Sequence, residues 1–354
     1  MAAAPGRSPL AVSWARAASW AQAASWAQAA SSPRASRRGW LALVLVAALA
    51  ASPAQARGAK PKPSEAERAF AALLRHGDLD QLAAACPRLL DQGYTTQLQQ
   101  LQRRLLAIKP APQPLAVVLA NADALLSCQA PQAALRVLER YGPAQGGERF
   151  QWLLLEWRAA HAGLDHWRAA MALRQLAQGE LARLETLLLP VQRNEDGTVT
   201  SRAALDLLAA ELESLEQPKA AAEVLLSGRQ PGLATANRIN RAVQLMPELP
   251  TAERERLLEL ALDQAAAAGA WSLVAEILDR QLALPPSEDG AKARARAAQR
   301  RARLSPRIDD AYGELGLRRQ DPTARRRVQE LELQLRSPRA PGGHAATPPL
   351  SPQP

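Results

Sequence analysis

An all-α fold of stacked antiparallel helical hairpins is what this 354-residue sequence predicts, and three observations predict it. Alanine, leucine, arginine and glutamine dominate, side chains that keep most of their freedom in a helix. Only three Tyr and two Phe are present, and runs of the β-branched and aromatic residues that strands favour are nearly absent. Apolar residues recur at spacings of three and four, and short breaks (HGD, CQAP, AGLD, EQPK, AGA) interrupt them as hairpin turns would.

In chain order, residues 1–56 read as a cleavable export leader. Arg37 and Arg38 form a charged start, Trp40 to Ala51 an apolar stretch of 12 residues, and Ala54-Gln55-Ala56 a small-x-small cleavage site. A transmembrane span needs ~20 apolar residues, so the stretch is too short to anchor, and cleavage is expected after Ala56. Ser36-Arg37-Arg38-Gly39-Trp40-Leu41 resembles the twin-arginine export motif, with Ala42 where that motif often has lysine. The same two arginines also serve an ordinary secretory signal, which is the favoured reading. Ahead of it, Trp14, Trp20 and Trp26 repeat every six residues, which places them ~240° apart on a helix and builds no apolar stripe. That repeat reads as part of the discarded leader. The expected destination is the periplasm or cell envelope, with the thylakoid lumen as the alternative for an acid-free, Ser/Ala/Arg-rich leader of this kind.

The formal charge of +10 sits at the ends. Residues 1–56 hold five Arg and no acid, residues 57–286 hold 25 basic and 26 acidic side chains, and residues 287–354 hold 14 and eight. A phosphate-tracking groove needs its cations on the folded body, so nucleic acid is an unfavoured partner.

Residues 57–63 form a linker, and Ser64 with Glu67 makes the capping-box spacing that opens a helix. A helical-repeat domain is expected over 64–286. Its hairpins resemble tetratricopeptide repeats. Trp152-x-x-Leu155 and Gly163 match that pattern, with Glu156 and Arg168 where it wants small residues. Leu205-x-x-Leu208-Ala209-x-x-Leu212, Ala221 and Leu225 match, with Glu216 in place of the turn glycine. Gly269, Leu278 and Pro286 match in the last unit, Ala122, Leu125, Ala134 and Leu138 in an earlier one, and Gly77 marks the first. Units then begin near residues 63, 115, 149, 202 and 255, so three of the four steps exceed the 34-residue period by 18 or 19 residues, room for a further helix or a loop. The resemblance implies a curved stack of hairpins whose concave face binds proteins or peptides. Within residues 191–201, Asp196-Gly197 is a two-residue turn signal that predicts a small hairpin or loop.

Candidate site residues are few. Phe150, Trp152, Trp157 and Trp167 concentrate the aromatics, and Phe150, Leu154, Trp157 and His161 share a helix face by spacing. Phe150, Trp157, His161 and Trp167 are therefore the candidate partner-binding residues, either a groove of Trp anchors or a hairpin core. Cys86 and Cys128 are open to two readings, a disulfide in an oxidising compartment or two small buried helix residues. His161 and His166, five apart across a turn, lack the convergent spacing of metal ligands, and no metal or cofactor is expected. No phosphate-binding glycine loop, nucleophile elbow or HExxH helix occurs, and the chain is not expected to be an enzyme.

Residues 287–336 form a basic helical segment in which Lys292, Arg296, Arg300 and Arg303 share one face. With alanine opposite, that face suits peripheral adhesion to an anionic surface at most. Residues 337–354, with six prolines in 18, read as a disordered tail. The function expected is an exported scaffold for protein or peptide partners, with no small-molecule substrate. The alternative is a nucleic-acid or anionic-surface binder acting through the basic termini.

Overall fold

Ser64 accepts a hydrogen bond from the Glu67 backbone N–H at 3.2 Å, and the Glu67 carboxylate accepts one from the Ser64 N–H at 2.6 Å. This reciprocal cap opens the first helix, α1 (Glu65–His76). The computed structural model describes residues 64–108, 113–194, 196–285 and 288–335. The expected leader 1–56, linker 57–63 and tail 337–354 lie outside the described residues, as does Arg336 at the end of the basic segment. The described residues form an all-α fold of stacked antiparallel hairpins with one two-stranded exception, and they group into two units.

The first unit holds α1, α2 (Leu79–Asp91), α3 (Thr95–Leu106), α4 (Leu115–Ser127), α5 (Pro131–Leu138), α6 (Gly147–Ala162) and α7 (His166–Ala177). It also holds the antiparallel strands β1 (Leu188–Arg193) and β2 (Val199–Ala203), joined through Asp196-Gly197 as the turn signal predicts. The second unit holds a 3₁₀ turn (Leu181–Glu185), α8 (Ala204–Ser214), α9 (Pro218–Leu226), α10 (Leu233–Leu245), α11 (Thr251–Ala267) and α12 (Trp271–Leu282). It continues through α13 (Glu288–Leu304), α14 (Ala311–Arg318) and α15 (Arg325–Leu335).

One turn geometry recurs in both units. Gly93, Gln129, Leu164, Glu216, Gly269 and Asp309 all take positive φ, between 51° and 70° by their individual values of 69°, 55°, 57°, 58°, 67° and 54°. In five of these turns the left-handed residue and its successor close paired bonds onto the preceding helix. Gln129 N–H donates to Leu126 C=O at 2.9 Å and Ala130 N–H to Leu125 C=O at 2.9 Å. The turns at Gly93, Leu164, Glu216 and Gly269 repeat that pair. This double closure satisfies carbonyls that a helix end leaves orphaned and swings the chain back into the next helix. The Gly163 of the tetratricopeptide-like pattern is thus one residue early, because Leu164 is the left-handed residue. Gly163 lies in tight contact instead: a Cβ there would sit 3.1 Å from Gln132 Nε2 and 3.2 Å from Ala159 C=O.

The long steps between units have distinct contents. The first carries α3, the third carries the 3₁₀ turn with the β-hairpin, and the fourth carries α10. The two residues too large for the repeat pattern answer each other. Arg168 donates through Nε to Glu156 at 2.8 Å and through Nη1 to Glu139 at 2.7 Å, so an ion pair stands where two small side chains would pack.

The domain boundary expected at Pro286 is not a boundary of packing. Ala293, Ala297 and Leu304 of α13 are buried in one core with Leu258, Ala261, Ile277 and Leu278 of α11 and α12. Alanine on that face lets α13 approach closely, so the basic segment is one more helix of the stack. Next to it, Arg301 donates to Asp279, Asp310 and the Ser305 hydroxyl, and Asp310 in turn caps α14 by accepting from Gly313 N–H at 2.8 Å. Arg327 of α15 grips Glu314 of α14 through two bonds of 3.0 and 2.8 Å.

Candidate functional site

The α6 stripe expected from the sequence divides on the structure. Phe150 and His161 are exposed on α6, Leu154 is half-buried between them, and Trp157 is 1% exposed. Trp157 therefore cannot be a partner contact, which corrects that assignment. Spacing places it ~20° from Phe150, at the border of the exposed arc, and its large ring turns inward. It stacks on His161 with ring centroids 5.6 Å apart, and among the described residues its indole N–H has no hydrogen-bond partner. Trp152 differs, donating to Leu138 C=O at 3.0 Å.

Trp167 is 63% exposed but sits in the first turn of α7, whereas Phe150 sits in the first turn of α6. In an antiparallel hairpin those are opposite ends, about 20 Å apart by helical rise. The four expected residues do not form one groove. Beside them, Arg158 of α6 bonds Asp123 of α4 at 3.0 Å. Burial pushes the guanidinium down to about 10 and the Asp123 carboxyl up, so desolvation outweighs their attraction on both sides.

Cys86 in α2 and Cys128 at the end of α4 are joined by a disulfide with Cα atoms 4.9 Å apart, and both side chains are fully buried. The basic residues Lys292, Arg296, Arg300 and Arg303 are all exposed on α13. Arg296 pairs with Glu255, and Arg300 reaches Glu259 at 2.7 Å, so both arginines reach acidic partners on α11.

A groove in the second unit went unnoticed in the sequence. It lies between the loop joining α9 to α10 and the flank of α11, with a volume of about 400 Å³. Leu225, Leu226, Ile239, Leu257 and Leu260 supply its apolar floor, and Arg229 and Arg256 stand at its rim with Glu253 and Gln264. The loop is held at several points. The Glu185 carboxylate accepts from the backbone N–H groups of Arg229 at 2.8 Å and Gln230 at 3.0 Å. The Gln264 side chain accepts from Gly232 N–H at 2.6 Å, and the Thr235 hydroxyl donates to Gln230 C=O.

Glu185 is itself clamped. Arg238, 5% exposed, donates to it through Nη1 and to Asp206 through Nε and Nη2. Burial alone would raise the Glu185 carboxyl, but the two backbone donors and Arg238 outweigh it and hold it below its ordinary value. Gly228 lets the loop come this close, since a Cβ would meet Glu185 Oε1 at 3.1 Å and Arg238 Nη1 at 3.2 Å.

A second cleft, about 640 Å³, lies between α12 and the α13–α14 connection. Its carboxylates are engaged: Glu276 with Arg280, and Asp279 and Asp310 with Arg301. Among the described residues no cluster of three or more His, Cys, Asp or Glu could hold a metal ion, and no helix is long and apolar enough to cross a membrane.

No protein-family model matches the chain, and neither does any curated protein sequence. Among solved structures, that of "Assembly Chaperone of RpL4 (Acl4) (Residues 1-338)" is similar at 16% identity, covering 73% of this chain and 99% of that chain, with a TM-score of 0.20. Similarity at that level carries no inference about function, and none is drawn from it.

Proposed function

We propose that the protein is an exported helical-hairpin scaffold that binds a protein or peptide segment in the groove between the α9–α10 loop and α11. The observation carrying this reading is the combination of a concave opening, edged by the exposed Leu260, with a loop fixed by a buried ion pair. A site held in one conformation before its ligand arrives loses less entropy on binding, and concave sites of 300–1,000 Å³ are the usual size for a ligand or a few side chains. The hairpin pattern and its recurrent left-handed turn support a tetratricopeptide-like repeat as the framework. The chemistry proposed is recognition and not catalysis.

Export rests on the charged, apolar and small-x-small parts of residues 36–56, and the Cys86–Cys128 bond supports it, because such bonds persist in oxidising compartments. N-terminal sequencing of the native protein from fractionated cells tests it. A first residue at Arg57 in the envelope or lumen is expected, and an intact leader in the cytoplasm overturns it.

The binding reading is tested by selecting peptides from a displayed library on the full chain. Selected peptides are then measured against Leu260→Asp, which places a charge on the partly exposed floor. Binding that is lost while the helical circular dichroism is kept supports the groove. Binding unchanged by Leu260→Asp removes it.

A further inference from the structure

The two edges of the β-hairpin are not alike. Leu188 pairs with Ala203, Leu189 with Arg202 and Pro190 with Ser201, and a bond from Ala204 N–H to Leu187 C=O at 2.8 Å fixes which pairs face inward. Antiparallel ladders alternate, so Leu189 and Arg202 bond each other, while Leu188, Pro190, Ser201 and Ala203 turn their backbone groups outward. Beyond the bulge at Val191, the bond from Asn194 N–H to Thr198 C=O at 2.9 Å turns Val199 outward in the same way. The outer edge of β1 is thus guarded twice: Pro190 has no N–H to offer there, and the bulge interrupts the row. The outer edge of β2 has neither device. Val199 to Arg202 are exposed and include no proline or lysine. Among the described residues, no backbone group bonds the outward N–H and C=O groups of Val199 and Ser201.

We infer that this β2 edge pairs with the β2 edge of a second copy of the chain, antiparallel and centred on Thr200. The strand is complementary to itself in that register. Val199 stands opposite Ser201 of the second copy, and Ser201 opposite its Val199, each pair exchanging both N–H···O bonds. Thr200 meets Thr200, a favourable cross-strand pair, and Arg202 falls opposite Thr198, so no like charges meet. Pairing also turns a two-stranded hairpin, marginal in water by itself, into a sheet of four strands. The resulting order, β1–β2–β2–β1, puts the edge guarded by Pro190 on both outer sides. Association therefore closes at the dimer, whereas a hairpin open along both edges would grow into a fibre. A foreign extended strand would satisfy the same backbone groups but leave its own far edge open. So short a contact buries far less than the about 800 Å² per partner of a stable interface, so the dimer is weak and depends on concentration.

Sedimentation velocity of the full chain, over a dilution series reaching millimolar concentration, tests this. Monomer should give way to dimer, with nothing larger, and amide exchange at Val199 and Ser201 should slow as the dimer forms. Ser201→Pro removes an N–H that points away from β1, so the inner ladder keeps its bonds. By symmetry one bond is lost from each pair, and association should weaken roughly tenfold or more. Thr200→Lys and Thr200→Glu supply a second measurement that does not depend on how the hairpin tolerates proline. Each alone sets like charges opposite one another and should weaken the dimer, and mixing the two should restore it. A chain that stays monomeric throughout overturns the inference. So does a dimer indifferent to Ser201→Pro and to the Thr200 charges, a failure of the mixture to recover, or open-ended growth.

Discussion

Glu185 pairs with Arg238 across 53 residues of sequence, and the same carboxylate holds the two backbone N–H groups that open the α9–α10 loop. Both side chains are nearly solvent-free, so each relies on the other to offset the cost of leaving water. Glu185→Gln would leave Arg238 with Asp206 alone and remove the stronger acceptor from the loop. A loss of about 3 kcal/mol is expected by urea denaturation, the range for breaking a buried pair. Amide exchange at residues 229 and 230 should accelerate more than at the α12 core. Unchanged protection there would mean the loop is held by other contacts.

The same pair gives the groove a pH dependence of definite sign. The Glu185 carboxyl is held below its ordinary value in the folded protein, as are Asp310 and Glu314 by their arginine partners. A depressed carboxyl stabilises the fold above its unfolded value, and that stability is lost as pH falls through the folded value. Asp123 and Glu156 in the first unit are raised by burial and have the opposite sign, so acid takes nothing from the fold through them. Acid titration followed by segment-resolved exchange should therefore loosen the second unit before the first, starting below the ordinary glutamate range. Glu185→Gln should flatten the part of that response seen at the loop. Loosening that begins in the first unit would contradict this account.

The recurrent turn makes opposite predictions at two positions. Glu216 occupies the left-handed conformation with a Cβ, at φ 58°, while Gly269 occupies it at φ 67° without one. Glu216→Gly should stabilise the protein by several tenths of a kcal/mol, the relief of strain exceeding the entropy that glycine adds to the unfolded chain. Gly269→Ala should destabilise by about 1 kcal/mol. Thermal melts of the two variants check both, and shifts of the same sign would show that neighbouring packing, not the turn, sets these energies.

Local signals in the sequence were legible because their physics is local. The Ser64–Glu67 cap, the five hairpin breaks and Asp196-Gly197 act within four residues, and each stands where spacing puts it. Partnership between helices was not legible from α13 alone: Arg296 and Arg300 are four apart, and so are Glu255 and Glu259, each pair separated by 41 residues. Comparing the two spacings would have revealed the ladder. The groove floor had no such signal, since Ile239, Leu257 and Leu260 read like any apolar positions on an amphipathic helix. Ile239 and Leu257 are buried in the core, and of the three Leu260 alone is exposed beside the loop held by Glu185.

The disulfide links α2 to α4 and closes 42 residues of chain that include all of α3. On the chain-entropy model such a loop is worth about 4 kcal/mol. α3 also meets α4 through Asn121, whose Nδ2 donates to Leu105 C=O at 3.2 Å, and Gln102, which donates to Cys128 C=O at 2.6 Å. Those bonds survive reduction, so α1–α3 should remain folded but open more readily. Urea denaturation with and without reductant should differ by several kcal/mol in the first unit and by nothing in the second. Equal midpoints would mean the thiols are unpaired in solution.

Trp157 and Trp167 separate a core role from a surface one. Trp157 is buried against His161, and truncating it leaves a void no neighbour can fill, so Trp157→Ala should cost about 3–5 kcal/mol. Its indole N–H lacks a partner among the described residues, so Trp157→Phe removes an unsatisfied donor as well as part of the ring and should cost much less than the alanine change. Trp167 stands in solvent at the start of α7, and Trp167→Ala should move stability by no more than about 0.5 kcal/mol. Denaturation of the three variants checks the order, and tryptophan emission supplies a second readout. Removing Trp157 should delete a blue-shifted component, and removing Trp167 a red-shifted one. If Trp167→Ala instead proved as damaging as Trp157→Ala, the exposed indole would have to be covered by something in solution.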